Sequence, residues 1–205
     1  VTTGSPTNSE DLQNVNAGTY SITVTDNLGC VSGQTYTVYE PNDFTISSNV
    51  VDLTCYDDST GSIDLTVSGG TTNYNYSWTG PNGFTSTDED LNALIAGSYQ
   101  ITGSDNNGCI IPATIIDITE PTAMGITLSA TPTDCDQPSG SITIVGNGGS
   151  VATDYTYELT DLAGTLISSS NLTSSLDVGQ YIGFVYDDRN CFATDTIEVL
   201  SLIHI

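Results

Sequence analysis

The sequence predicts an all-β chain of tandem antiparallel β-sandwich modules, each about 80 residues long, and three observations carry that expectation. First, 32 Thr and 23 Ser stand beside 20 Gly and 11 Tyr, against a single Met, which is the vocabulary of short strands joined by tight turns. Second, a long internal repeat runs through the chain. Third, apolar and polar residues alternate in short runs between turn-forming clusters, and no segment of useful length has helical period.

The repeat sets the module boundaries. Leu12 to Cys30 reads LQNVNAGTYSITVTDNLGC and Leu91 to Cys109 reads LNALIAGSYQITGSDNNGC, an offset of 79 without a gap. A looser third copy places Gly179, Tyr181, Asp187 and Cys191 at an offset of 82 from Gly97, Tyr99, Asp105 and Cys109. The front half repeats too: Cys55, Gly61-Ser62-Ile63 and Gly69-Gly70 return as Cys135, Gly140-Ser141-Ile142 and Gly148-Gly149. Residues 1–41 therefore read as the C-terminal half of a truncated module, and 42–121 and 122–199 as complete modules, with Glu40-Pro41 and Glu120-Pro121 closing the first two. The last six residues, LSLIHI at 200–205, equal the translation of a sequencing-adapter end and are read as non-native, His204 with them.

Within the second unit, strands are expected at Ile63-Leu65-Val67, Tyr74-Tyr76-Trp78 and Tyr99-Ile101, separated by Gly-Gly, Pro-Asn-Gly and Asp-Asn-Asn-Gly turns. Ala96-Gly97-Ser98-Tyr99, matched at 17–20 and 178–181, has the form of a tyrosine corner, which makes the sandwich immunoglobulin-like. Ile22, Ile101 and Gly183 stand where antibody domains carry a cysteine two residues later, so the module is not of antibody type.

Charge excludes several functions. The formal net charge is -24, with Arg189 the only basic residue other than His204 and no lysine. Nucleic acid and anionic lipid need Lys and Arg counter-charges that are missing. Schiff-base chemistry, phosphate-binding loops and Lys–Asn isopeptide crosslinks need the absent lysine, and with His204 the only histidine, histidine-based triads and His-rich metal sites lack parts. No apolar run reaches membrane-spanning length, so membrane insertion is not expected, while the missing leader at Val1 says little because the chain reads as a piece cut at both ends.

Five cysteines are explained by the repeat, one early and one late in each complete unit and Cys30 the late one of the truncated unit. The expected bridges are Cys55–Cys109 and Cys135–Cys191, with the partner of Cys30 left open. Each would close a loop of some 55 residues, contribute roughly 4 kcal/mol by the chain-entropy model, and place the protein in an oxidising compartment.

Cys55, Asp58, Gly61-Ser62-Ile63, Val67, Gly69-Gly70, Tyr74 to Trp78, Ala96 to Tyr99, Asp105, Gly108-Cys109 and Glu120-Pro121 together resemble the SprB-type repeat of very large, gliding-motility-associated cell-surface adhesins of Bacteroidota. The third unit departs from the pattern, with Leu159 where Trp78 stands and Asp188-Arg189-Asn190 before its cysteine. The resemblance implies export by the type IX system, display on the outer cell surface, and an array longer than this chain.

Candidate sites are few. The expected Cys55–Cys109 bridge would bring Asp57 and Asp58 near Asp105, and the second bridge would bring Asp136 near Asp187; carboxylates so gathered are candidate calcium ligands, the only cofactor considered. Turn chemistry is the competing account, since Asp before Gly is what tight turns select. Tyr74, Tyr76 and Trp78 offer an aromatic strip for sugar, but Leu159 at the third position suits a packed core better. Phe84, in the Gly80-to-Phe84 loop that loses its Phe in the third unit, is the candidate for binding a polysaccharide or surface polymer. Asp88-Glu89-Asp90 is the densest acidic cluster, yet its counterpart is Ser168 to Asn171, so no catalytic pair recurs and no enzyme is expected. The function read from the sequence is an adhesin's repeat region, stalk or surface-binding, its partners including the neighbouring modules. The alternative is an accessory carbohydrate-binding array of a secreted polysaccharide-degrading enzyme.

Overall fold

A computed structural model describes residues 11–134, 138–150 and 154–202. The first unit contributes the hairpin β1 (Gly18–Thr25) and β2 (Val31–Val38). The second contributes β3 (Thr45–Val51), β4 (Gly61–Ser68), β5 (Asn75–Thr79), β6 (Thr85–Ser86), β7 (Leu91–Leu94), β8 (Gly97–Ser104) and β9 (Ile110–Ile118). The third repeats that order with β10 (Thr122–Thr131), β12 (Gly140–Gly149), β13 (Thr156–Asp161), β14 (Leu166–Ser168), β15 (Leu172–Leu176), β16 (Gly179–Tyr186) and β17 (Phe192–Val199), adding the short β11 (Thr133–Asp134) and β18 (Ser201–Leu202).

Each of the two larger units is a two-layer antiparallel sandwich. One layer has strand order β3-β4-β7 and the other β6-β5-β8-β9; the third unit repeats them as β10-β12-β15 and β14-β13-β16-β17. The core lies between the layers because period-2 alternation points one set of side chains inward. Along β4, Ile63, Leu65 and Val67 are buried while Asp64, Thr66 and Ser68 face water. Trp78, Tyr99, Ile101 and Ile111 close this core from the opposite sheet, and Leu159, Tyr181 and Val199 do so in the third unit, against Ile142 and Ile144. The aromatic strip is thus built inward: Trp78 is buried and donates its indole N–H to Asp88 O at 2.8 Å, and the Tyr74 hydroxyl donates to Gly69 O at 2.7 Å.

The tyrosine corner forms in all three units. The hydroxyls of Tyr20, Tyr99 and Tyr181 donate to Asn16 O, Ile95 O and Asp177 O, each four residues upstream, at 2.7, 3.0 and 3.0 Å. A residue with positive φ precedes each corner: Asn14 at 55°, Ala93 at 53° and Ser175 at 61°. Removing the hydroxyl with Tyr99→Phe is expected to cost about 1 kcal/mol, one net hydrogen bond, and leave Ile95 O without its donor. The urea midpoint of Trp78 fluorescence reads that loss in the second unit alone, since Trp78 is the only tryptophan.

At the far end, Leu200 O accepts the Thr133 N–H at 2.8 Å, as Thr119 O accepts from Leu53 at 3.0 Å one unit earlier. Ser201–Leu202 then pairs in parallel with Thr133–Asp134. Among the described residues no helix is long and apolar enough to cross a membrane.

Candidate functional site: the junction between modules

The late cysteine of every unit sits in the same hydrogen-bonded turn. Oδ1 of Asp26 accepts from the N–H groups of Leu28 and Cys30, that of Asp105 from Asn107 and Cys109, and that of Asp187 from Arg189 and Cys191, all at 2.8 to 2.9 Å. The residue before the cysteine must take the left-handed region, which glycine does without a Cβ clash: φ is 85° at Gly29 and 81° at Gly108. The third unit supplies Asn190 at 63°, asparagine being the substitute that tolerates this region best, so its departure from the motif leaves the turn unchanged. The second carboxylate oxygen ties the turn to the sheet edge: Asp105 Oδ2 accepts from Thr71 N–H at 2.9 Å and Asp187 Oδ2 from Ser150 N–H at 2.8 Å.

Donation from Thr71 N–H, followed by that from Cys109 and Asn107, holds the Asp105 carboxyl below its ordinary range. A carboxyl depressed on folding stabilises the fold above its unfolded pKa, and that contribution is lost as pH falls through the folded value. The gap in Tm between the native chain and Asp105→Asn, which loses the Thr71 acceptor, is therefore expected to be widest above about pH 4 and to close below it. A thermal melt series across acid pH checks this.

The early cysteine lies at the other end of the module. Asp52 Oδ1 accepts from Thr119 N–H at 2.7 Å, Leu53 N–H donates to Thr119 O at 3.0 Å, and Glu120 Oε2 accepts from Asp57 N–H at 2.7 Å. This straps the segment before and after Cys55 to the Glu120-Pro121 exit. Cys109 directly precedes β9, whereas Leu53 meets the residue that follows it. Nine residues of strand at about 3.3 Å each therefore hold Cys55 and Cys109 roughly 30 Å apart.

The expected Cys55–Cys109 bridge is accordingly corrected. Cys55 bonds Cys191 of the next unit, with Cα atoms 5.6 Å apart and a sequence separation of 136. Cys191 is therefore not paired with Cys135; Cys135 and Asp136 lie outside the described residues. Cys30 and Cys109 are exposed free thiols. Arg189, from the turn before Cys191, donates to Leu53 O at 3.4 Å across the junction, so the chain's one arginine is placed between modules. It reinforces the effect of Thr119 N–H, the larger cause, in holding the Asp52 carboxyl below its ordinary range.

In the second unit the predicted gathering of carboxylates is overturned by the same geometry. Asp57 and Asp58 belong to the exit end and Asp105 to the entry end, because no bridge brings them together. Both Asp105 oxygens are engaged by backbone N–H groups, as are those of Asp187. Among the described residues no three His, Cys, Asp or Glu side chains converge on a metal position. Asp88-Glu89-Asp90 is a bonding segment: Glu89 accepts from the Tyr76 hydroxyl at 2.8 Å and Asp90 from Leu65 N–H at 2.9 Å. Burial, then the bond to Glu89, raises the Tyr76 pKa. Phe84 is half-buried and meets Tyr99 edge-on at 5.4 Å; with Pro81, Ala93 and Ile95 the pair lines an open depression of about 310 Å3.

Sequence reasoning placed neighbour contacts at the Glu-Pro junctions and missed the disulfide that crosses one of them. Asp52, Glu120 and Arg189 are the junction's working residues, and the signal was present in the closing Glu-Pro and in the placement of the only arginine beside a late cysteine.

The class defined by this geometry is a tandem array of immunoglobulin-like β-sandwiches joined end to end by a disulfide. Residues 47–83, from β3 through the turn after β5, match the family model of the SprB repeat, so the second unit carries a SprB-type repeat. No curated protein matches the chain. Among solved structures the chain is similar to one described as the structural basis for Dscam isoform specificity, at 14% identity and TM-score 0.34, covering 89% of this chain and 54% of that one. It is also similar to fibronectin(III)-like modules of Clostridium thermocellum CbhA, at 16% identity and TM-score 0.32, covering 80% and 98%. Domains 7, 8 and 9 of the S-layer protein SbsC give 12% identity and TM-score 0.30, covering 90% and 69%. The chain spans about half the length of the Dscam chain.

Proposed function

We propose that this chain is a segment of the repeat region of a secreted or surface-displayed adhesin, in which the modules act as a stiff, non-catalytic stalk. The observation that carries this reading is the Cys55–Cys191 bond between consecutive modules, whose use is to hold their relative position. The SprB-type repeat supports the extracellular setting, and a disulfide persists there. A net charge of -24 keeps a long fibre soluble and discourages self-association.

A second reading, polysaccharide or surface-polymer binding in the second unit, is favoured by the depression beside Phe84. Retention of the full oxidised chain on a polysaccharide panel, with calcium and then with chelator, separates the two. A stalk gives no saturable retention. Saturable binding abolished by Phe84→Ala makes the second unit adhesive, and binding lost only with chelator assigns a role to calcium.

A further inference from the structure

The late-cysteine turn is the same in every unit, but only one of its three thiols has a partner in this chain. Cys191 is bonded, whereas Cys30 and Cys109 are exposed and free. The turns match in their aspartate bonds and in the left-handed residue before the thiol. The sheet-edge bond recurs as well, Asp105 to Thr71 and Asp187 to Ser150. Cys109 is thus presented at the entry end of the second module as Cys191 is at the entry end of the third, where it meets the early cysteine of the module before it.

We propose that Cys109 is the docking thiol for the early cysteine of a preceding module, and that this protein's disulfides run between modules, never within them, closing every junction of the array covalently. Forming each bond removes two protons and two electrons from two thiols. A disulfide of the glutathione class accepts them and leaves as two thiols. Cys30 holds the equivalent place in the first unit.

The consequence is mechanical. In sequence only 26 residues separate the late Cys109 from the next early cysteine, Cys135. A bond from each early cysteine to the following module's late cysteine then lets the covalent path advance two modules for 26 residues. Those span at most about 90 Å when fully extended, against about 560 Å for the 160 residues of two modules. Two sandwiches built on strands of about 30 Å, with their turns, already occupy roughly 80 Å. A laddered array therefore cannot lengthen appreciably under load even where its modules lose their fold.

The inference rests on the array reading, but a disulfide map is read independently of polysaccharide retention, so each fails alone. The test is a longer chain carrying residues 42–121 twice, 1–121 followed by 42–205. It is refolded with oxidised and reduced glutathione, alkylated, cut without reduction by an Asp- or Glu-directed protease, and mapped by mass spectrometry. The expected result joins Cys55 of the first copy to Cys109 of the second, beside the Cys55–Cys191 bond that marks correct folding. Cys109→Ser in the second copy then releases the first copy's Cys55 to alkylation, while the same change in the first copy releases nothing. A Cys55–Cys109 bond that persists with Cys109→Ser in the second copy overturns the proposal. So do an alkylated Cys55 in the first copy and an alkylated Cys109 in the second when the Cys55–Cys191 bond has formed, and so does failure of Cys55–Cys191 to form in the unextended chain.

Discussion

Reducing the Cys55–Cys191 bond is expected to lengthen the fully stretched chain by about 480 Å, because the bond locks 136 residues that otherwise extend at roughly 3.5 Å each. Pulled by its ends with the bond intact, the protein transmits force from Cys55 straight to Cys191. Most of both sandwiches, β4 to β16, is then off the force path, and only the β1–β2 hairpin and β3 on one side and β17 and β18 on the other are peeled. Single-molecule stretching of the full chain, with and without reductant, measures the difference directly. A stability effect accompanies it. By the chain-entropy model a loop of this size removes about 5 kcal/mol of freedom from the pair of unfolded modules, more than either expected bridge within a module would supply. Cys191→Ser is expected to lower the urea midpoint of the second unit as well as the third, read through Trp78 for the second. An unchanged second-unit midpoint would mean that the bond joins two modules that are stable independently of each other.

The sandwich, its core faces and its corner tyrosines were legible because each is local. Alternation along β4 selects the buried face, and the segment Ala96 to Tyr99 carries its own hydrogen bond to Ile95 O. The disulfide partner was not legible for a reason internal to repeats. One early and one late cysteine per unit is equally consistent with bonds inside a unit and with bonds to the next, since equivalent positions do not say which copy they meet. What decides is length along the strand: Cys109 lies before β9 and Leu53 meets Thr119 after it, so the two cysteines of one module occupy opposite ends. Asp57 and Asp58 are kept apart from Asp105 because the bridge that was meant to gather them does not form. Turn chemistry, the competing account for Asp105 and Asp187, rests on hydrogen bonds of the aspartate to N–H groups two and four residues on, a local pattern that the sequence alone conveys.

The largest effect expected from a single substitution in the core is at Trp78. Its ring is buried between the sheets and its N–H satisfies Asp88 O, so Trp78→Ala leaves a cavity and an orphaned carbonyl together. The cost is expected at about 3–5 kcal/mol, a third or more of the stability of a module of this size. Trp78→Leu copies the third unit, where Leu159 is also buried, but the copy is incomplete. Leu159 pairs across the sheet with Gly183, and the room above that glycine is taken by Leu128; Trp78 pairs with Ile101, which already fills the corresponding space. The leucine variant therefore keeps part of a void and is expected to lose about 2 kcal/mol. Both variants remove the fluorophore, so calorimetry of the full oxidised chain reads them, the third unit's transition serving as internal reference. If leucine costs as much as alanine, volume is not what the second core demands at this position. The bond from the indole to Asp88, which pins the acidic segment ahead of β7, would then carry the difference between the two modules.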